Sequence, residues 1–159
     1  MKIRVGFGYD MHRLVEGRDL WLGGIKIDFG KGLQGHSDAD VLIHSICDAL
    51  LGAANLRDIG FHFPDTAEEF YGVDSKVLLK RSVTLLRNKG FEIGNIDTTI
   101  CAEAPKINPY IPRMQKALCE IMETDIEVIS IKATTSEKMG FVGRQEGITA
   151  YAVALIHKF

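Results

Sequence analysis

Apolar residues alternate through Ile3, Val5 and Phe7, the period of a strand with one covered face, so the chain opens on a β-strand over Lys2–Phe7. Trp21–Ile27 reads as a hairpin, with Gly23-Gly24 available for a tight turn. Between Val41 and Ala54 the period changes. Leu42, Ile46, Ala49, Leu50 and Ala53 recur at spacings of three and four, which predicts a helix, and Ser37 or Asp38 can cap its start. Phe61–Gly72 is a loop containing Phe63-Pro64-Asp65-Thr66. A second helix follows from Ser75 through Leu78, Leu79, Val83 and Leu86 and stops at Gly90. Ile96–Cys101 is strand-like. Pro105, Pro109 and Pro112 mark a loop and a new helix start, and Ile111, Met114, Leu118, Ile121 and Met122 give that third helix its apolar face, with the methionines as core filler. Glu127–Thr134 and Ile148–His157 are two further strands.

The last strand decides the architecture. Ile148, Ala150, Ala152 and Ala154 lie on one side of it and Tyr151, Val153 and Leu155 on the other, so both faces need cover. The helices can cover one face, and further subunits the other. The expectation is an α/β fold of the α+β sandwich kind: a single domain over 1–159, one mainly four-stranded mixed sheet, helices on one face and the other face packed in an oligomer. At 159 residues the chain is long enough for one substantial core and short for two. It carries 19 basic and 21 acidic residues, which argues against binding nucleic acid or a membrane surface. Cys47, Cys101 and Cys119 are widely spaced and contain no Cys-x-x-Cys, so they suggest neither a disulfide framework nor a thiolate metal site. With no signal peptide ahead of the first strand and no apolar run near about 20 residues, a cytoplasmic protein is the expectation.

The candidate chemistry begins at Gly6-Phe-Gly-Tyr-Asp-Met-His12. Asp10 and His12 fall on one face if the strand continues through them, and a carboxylate beside an imidazole suits a divalent metal. His44, on the first helix, is a third candidate. It lies four residues after Asp40 and either pairs with it at the edge of the core or binds metal through one ring nitrogen while Asp40 orients the other. Near the C-terminus, Thr134 and Thr135 end a strand where hydroxyls and free amides can hold phosphate, and Glu137 could take magnesium. The same residues would also serve as a cap and turn. Arg144 could bind an anion or pair with Glu146. His62 and His157 have no evident partner, and His157 is expected to be solvated.

Gly6 to His12, Gly35-His-Ser-Asp-Ala-Asp40, Arg57-Asp-Ile-Gly60, Phe63-Pro-Asp-Thr66, Ala102-Glu-Ala-Pro-Lys106, Lys132-Ala-Thr-Thr135 and Gly143-Arg-Gln-Glu-Gly147 occur in this order. Together they resemble the 2-C-methyl-D-erythritol 2,4-cyclodiphosphate synthase family over nearly the whole chain. The resemblance implies a lyase of the non-mevalonate isoprenoid pathway that cyclises a cytidine diphosphate substrate and releases CMP. It implies zinc on Asp10, His12 and His44, and magnesium or manganese on Glu137. His36 and Thr135 match transition-state stabilisers. Ser37, Asp58, Ile59, Gly60, Phe63, Pro64 and Asp65 match an erythritol pocket; Ala102, Pro105, Lys106, Ile107, Asn108, Ala133 and Thr134 match a cytidine pocket. The resemblance further implies a homotrimer with active sites at subunit boundaries. Phe141 and Arg144, with Tyr9, match the lining of a cavity on the trimer axis, where some relatives take an isoprenoid diphosphate. Ala67, Glu103 and Asn108 depart from the family's usual residues.

Overall fold

Two glycines of the first strand, β1 (Lys2–Glu16), set how closely the layers approach. A Cβ on Gly6 would fall 1.9 Å from the carbonyl oxygen of Ala49, and one on Gly8 would fall 1.9 Å from that of Ser45. Both carbonyls belong to α1 (Val41–Ala53), so helix backbone rests on strand backbone with no side chain between them.

This computed structural model describes all residues, 1–159. After β1 come the hairpin strands β2 (Leu20–Leu22) and β3 (Ile25–Ile27), the short β4 (Lys31–Leu33) and α1. Then follow α2 (Ile59–His62), α3 (Ser75–Asn88), β5 (Glu92–Cys101), α4 (Ile111–Met122), β6 (Ile129–Thr134), α5 (Gly140–Gly143) and β7 (Gly147–Lys158). The main sheet has five strands in the order β4-β1-β7-β5-β6. Only β5 and β6 run parallel, so the sheet is mixed as expected. β2 and β3 form a separate two-stranded ribbon turning at Gly23 and Gly24, whose φ angles are +61° and +78°.

The differences from the sequence reading have local causes. β1 runs on to Glu16 because it stays paired with β7 through Arg13 and then with β4 from Leu14. The added strand, β4, spans only three residues and shows no period of its own. Asp40, not Ser37 or Asp38, caps α1, accepting from the Ile43 amide at 3.0 Å. Ile126–Val128 is a single 3-10 turn held by Asp125, which delays β6 to Ile129. Cys119 is half-buried at the core edge, while Cys47 is fully buried.

The core lies between the sheet and α1, α3 and α4. Ala150, Ala152 and Ala154 of β7 face it, small enough to let α1 lie close. The opposite face is uncovered: Val5 and Phe7 are 64% and 63% exposed, and Ile3, Met11, Tyr151 and Val153 continue the stripe. A contiguous apolar surface of this kind is more than a monomer usually leaves in water. No helix is long and apolar enough to cross a membrane.

Gly8→Ala is expected to push α1 off the strand and destabilise the protein by about 2–3 kcal/mol, roughly 5–10 °C in Tm. Calorimetry of the metal-free protein checks this. An unchanged melting temperature would mean the two backbones are not in contact.

Candidate active site

Strand periodicity and the glycine contacts bring the first three candidate residues together. Gly6, Gly8, Asp10 and His12 share the helix-facing side of β1, and α1, seated on the glycines, carries His44 over the next two positions. Asp10 Oδ2 lies 2.9 Å from His12 Nε2 and 3.0 Å from His44 Nδ1, and the two ring nitrogens are 3.2 Å apart. The donor atoms all lie within 4.8 Å of one another, and the three residues are half-buried. Burial pushes the Asp10 carboxyl up, but hydrogen bonds and charge from His12 and His44 outweigh it and hold the group at about 2. Burial likewise pushes His12 down, and its bond to Asp10 more than reverses this. His12 Nδ1 lies 2.8 Å from the Gln34 carbonyl oxygen. That oxygen can only accept, so the contact is a hydrogen bond only when Nδ1 carries a proton, and in the neutral ring this leaves the Nε2 lone pair toward the centre.

Asp40 does not orient His44, contrary to the sequence reading. Its carboxylate is fully buried and turned toward the hairpin, accepting from Gly23 N–H at 2.9 Å, Gly24 N–H at 2.7 Å and Ile43 N–H at 3.0 Å. Burial pushes this carboxyl up against the pull of those donors. The outer nitrogen of His44, Nε2, instead lies 3.0 Å from Ser75 Oγ and 3.2 Å from Ser37 Oγ. Ser75 Oγ donates to Asp38, whose second carboxylate oxygen accepts from the Ser75 amide at 3.0 Å. Ser75 and Asp38 were not candidates in the sequence; their contact spans 37 positions and neither residue type stands out.

The triad opens into a cavity of about 430 Å³. The candidate residues His36, Ser37, Ile59, Gly60, Phe63 and Asp65 line it, together with Gly35, Phe70, Val73 and Leu78. Asp58 caps α2 through the Phe61 amide at 2.8 Å, and neither it nor Pro64 is among the lining residues. His36 is exposed, with its ring edge-on to Tyr71 at 5.1 Å.

A second cavity of about 360 Å³ lies at the β6 edge of the sheet. Ala102, Pro105, Lys106, Ile107, Asn108, Ala133, Thr134 and Thr135 line it together with Glu103. Glu103 accepts from the Lys138 amide, tying the two loops that form this cavity. Glu137 and Lys138 both hold left-handed backbone, φ +53° and +61°, and the Glu137 amide donates to Thr135 Oγ1 at 3.2 Å. Glu137 is exposed and joins no donor cluster within the chain.

A smaller cavity of about 220 Å³ has Phe141, Met11 and Glu146 on its wall. Arg144 is engaged by Glu146, Nε to Oε1 at 2.8 Å. His62 does have a partner, the Leu56 carbonyl at 2.7 Å. His157 is half-buried rather than solvated, with its ring against Phe159.

The chain is 68% identical over 158 residues to the 2-C-methyl-D-erythritol 2,4-cyclodiphosphate synthase of Parabacteroides distasonis, covering 99% of this chain and 98% of that protein. It is 65% identical to the synthase of the same name from Bacteroides thetaiotaomicron, covering 99% of each. Among solved structures, Plasmodium falciparum IspF in its CDP complex superposes with a TM-score of 0.86 at 34% identity, over 98% of this chain and 96% of that one. The bifunctional IspDF of Campylobacter jejuni superposes with a TM-score of 0.96 at 42% identity, and this chain spans 43% of its length. The match to the YgbB family extends over residues 3–157, from the first strand to the end of the last, and the chain belongs to that family.

Proposed function

We propose that the chain converts 4-diphosphocytidyl-2-C-methyl-D-erythritol 2-phosphate to 2-C-methyl-D-erythritol 2,4-cyclodiphosphate with release of CMP, in isoprenoid precursor synthesis by the non-mevalonate pathway. One observation carries this reading. Three metal-donor atoms converge, and the two histidines among them line a cavity that also holds His36 and Asp65, in a chain that matches synthases of this name from end to end. The reaction is an intramolecular phosphoryl transfer. An oxygen of the 2-phosphate bonds to the β-phosphorus as its bond to the CMP oxygen breaks, and the electron pair leaves with CMP.

In this reading Asp10, His12 and His44 hold zinc, and Glu137 holds magnesium or manganese. The donor set fits: a tetrahedral ion with bonds of about 2.0–2.1 Å spaces its ligands about 3.3 Å apart, close to the 2.9–3.2 Å between these donor atoms. When bound, the cations supply Lewis-acid charge to the non-bridging phosphate oxygens, where negative charge spreads in the transition state. The protein's own part is positioning. His36 and the Thr135 hydroxyl donate to phosphate oxygens, Asp65 with Asp58 and the Gly60 backbone orients the erythritol hydroxyls, and the Phe63–Phe70 wall keeps water from competing as nucleophile. Lys106 supplies the cation of the nucleotide pocket.

The two cavities share no lining residue, and they sit toward opposite edges of the sheet, one by β1 and the other by β6. A homotrimer in which the β1 edge of one subunit meets the β6 edge of the next completes each site and covers the exposed Val5–Phe7 stripe. Phe141 then faces the central axis. An isoprenoid diphosphate there would have to compete with Glu146 for Arg144.

Phosphorus NMR of the protein with the cytidine-linked substrate, zinc and magnesium is expected to show CMP together with a cyclic diphosphate. Inorganic phosphate as the product would replace this reading with hydrolysis. His44→Ala is expected to lose zinc and at least about 100-fold in rate while keeping its oligomeric state; retained zinc, measured by elemental analysis, would overturn the triad. For the shared site, inactive His12→Ala and Thr135→Ala subunits are expected to regain activity when exchanged into mixed trimers. Silence after verified exchange would place each site within one chain.

A further inference from the structure

His44 can present its Nδ1 lone pair to a cation only if the ring proton sits on Nε2. Two neighbours compete over that proton. On the inner side Asp10 Oδ2, 3.0 Å from Nδ1, is an acceptor and draws the proton toward the metal position. On the outer side stands Ser75 Oγ, 3.0 Å from Nε2. A serine hydroxyl has one proton to give, and Ser75 gives it to the Asp38 carboxylate, which can only accept. The oxygen that Ser75 turns to His44 is therefore an acceptor, and the contact is a hydrogen bond only when Nε2 carries hydrogen. The second contact of Nε2, Ser37 Oγ, accepts from the Ala39 amide at 3.0 Å and has a lone pair left for the same proton.

We propose that Asp38 and Ser75 are positioning residues that hold the proton of His44 on Nε2, so that Nδ1 stays free for the metal. This rests on the triad reading and extends it outward by two residues. The arrangement is over-determined. Asp38 grips Ser75 through both hydroxyl and amide, and Ser75 is fully buried at the first turn of α3. Backbone bonds from the Asp38 amide to the Val73 carbonyl (3.2 Å) and from Gly72 to His36 (2.8 Å) zip the same two segments together. The segment that leads into Ser75 carries Phe70 and Val73 of the cavity wall, so the group that orients His44 also anchors part of the substrate pocket.

The test uses Ser75→Ala, Asp38→Asn, His44→Ala and, as a control, Asp74→Ala. Asp74 caps the same helix through the Lys76 amide at 2.9 Å but does not bond His44, so its loss reports disturbance of the helix start alone. Zinc affinity, measured against a competing chelator, is expected to fall about 10- to 100-fold in Ser75→Ala and similarly in Asp38→Asn, whose amide oxygen can accept from only one of the two Ser75 donors. It is expected to be unchanged in Asp74→Ala. Ring ¹⁵N spectra of the metal-free protein at pH 8 are expected to show His44 protonated on Nε2 in the wild type and shifted toward Nδ1 in Ser75→Ala. Wild-type affinity in the Ser75 and Asp38 variants, an equal loss in Asp74→Ala, or a wild-type His44 protonated on Nδ1 would each overturn the proposal. If Ser75→Ala fails to fold, Asp38→Asn decides. Equal zinc binding by wild type and His44→Ala would remove the triad reading and this proposal together; zinc binding that depends on His44 but not on Ser75 removes only the proposal.

Discussion

The contact of α1 with β1 at Gly6 and Gly8 is the constraint on which the site depends. A helix packed on a sheet through ordinary side chains stands about 10 Å away, the spacing of packed layers. Here the carbonyls of Ser45 and Ala49 occupy the space a Cβ would take. At that distance an imidazole on the helix reaches a carboxylate oxygen at 3.0 Å and an imidazole nitrogen at 3.2 Å on the strand. A bulkier strand would move His44 outward while leaving each residue's local conformation intact, and three donors would no longer meet at one point.

Asp40 fixes the other coordinate, the height of α1 along the strand. A fully buried carboxylate is costly unless it is hydrogen-bonded, and Asp40 takes amide donors from both the helix start and the Gly23-Gly24 turn. It thereby pins the β2–β3 ribbon to the N-terminus of α1, where the helix dipole also favours negative charge. The sequence invited a different role because Asp40 and His44 stand four apart on a helix. The cap residue, however, lies outside the helical turn. Its side chain folds back on the first amides, so the spacing that pairs two helical side chains does not apply to it.

The parts of the fold and site legible in sequence were those with a period. Lys2–Phe7, the apolar helix faces and the two-sided apolar strand read at Ile148–His157 pointed to the mixed sheet, its single helical layer and a second apolar face. Asp10 and His12 were legible as a pair because a strand repeats every two residues. His44 was legible as a third candidate, but that it meets Asp10 and His12 follows only from seating the helix on the strand. What escaped was what depends on long-range contact between ordinary residues. β4 is three residues of Lys-Gly-Leu that form a strand only because Leu14–Glu16 is there to pair with. Ser75 reads as a helix start and Asp38 as a cap, and nothing in either segment shows that they meet. Leu78 reads as part of an apolar helix face and Phe70 falls in a stretch read as loop, yet with Val73 they form the cavity wall.

The distribution of charge agrees with a reaction whose nucleophile belongs to the substrate. An enzyme that attacks with its own side chain must activate one, usually by lowering the pKa of a thiol or placing a base beside a hydroxyl. Cys47 and Cys101 are not prepared in that way: burial pushes Cys47 up to about 12 and also raises Cys101. At the metal position the shift runs the other way: Asp10 stays ionised to about pH 2 and the ring nitrogens of two histidines face it. A preorganised anion flanked by imidazole nitrogens suits a fixed cation better than a covalent intermediate. Phosphoryl transfer within one molecule asks for little else: charge opposite the oxygens that gain it, and walls that hold the chain of the substrate in a ring-closing shape.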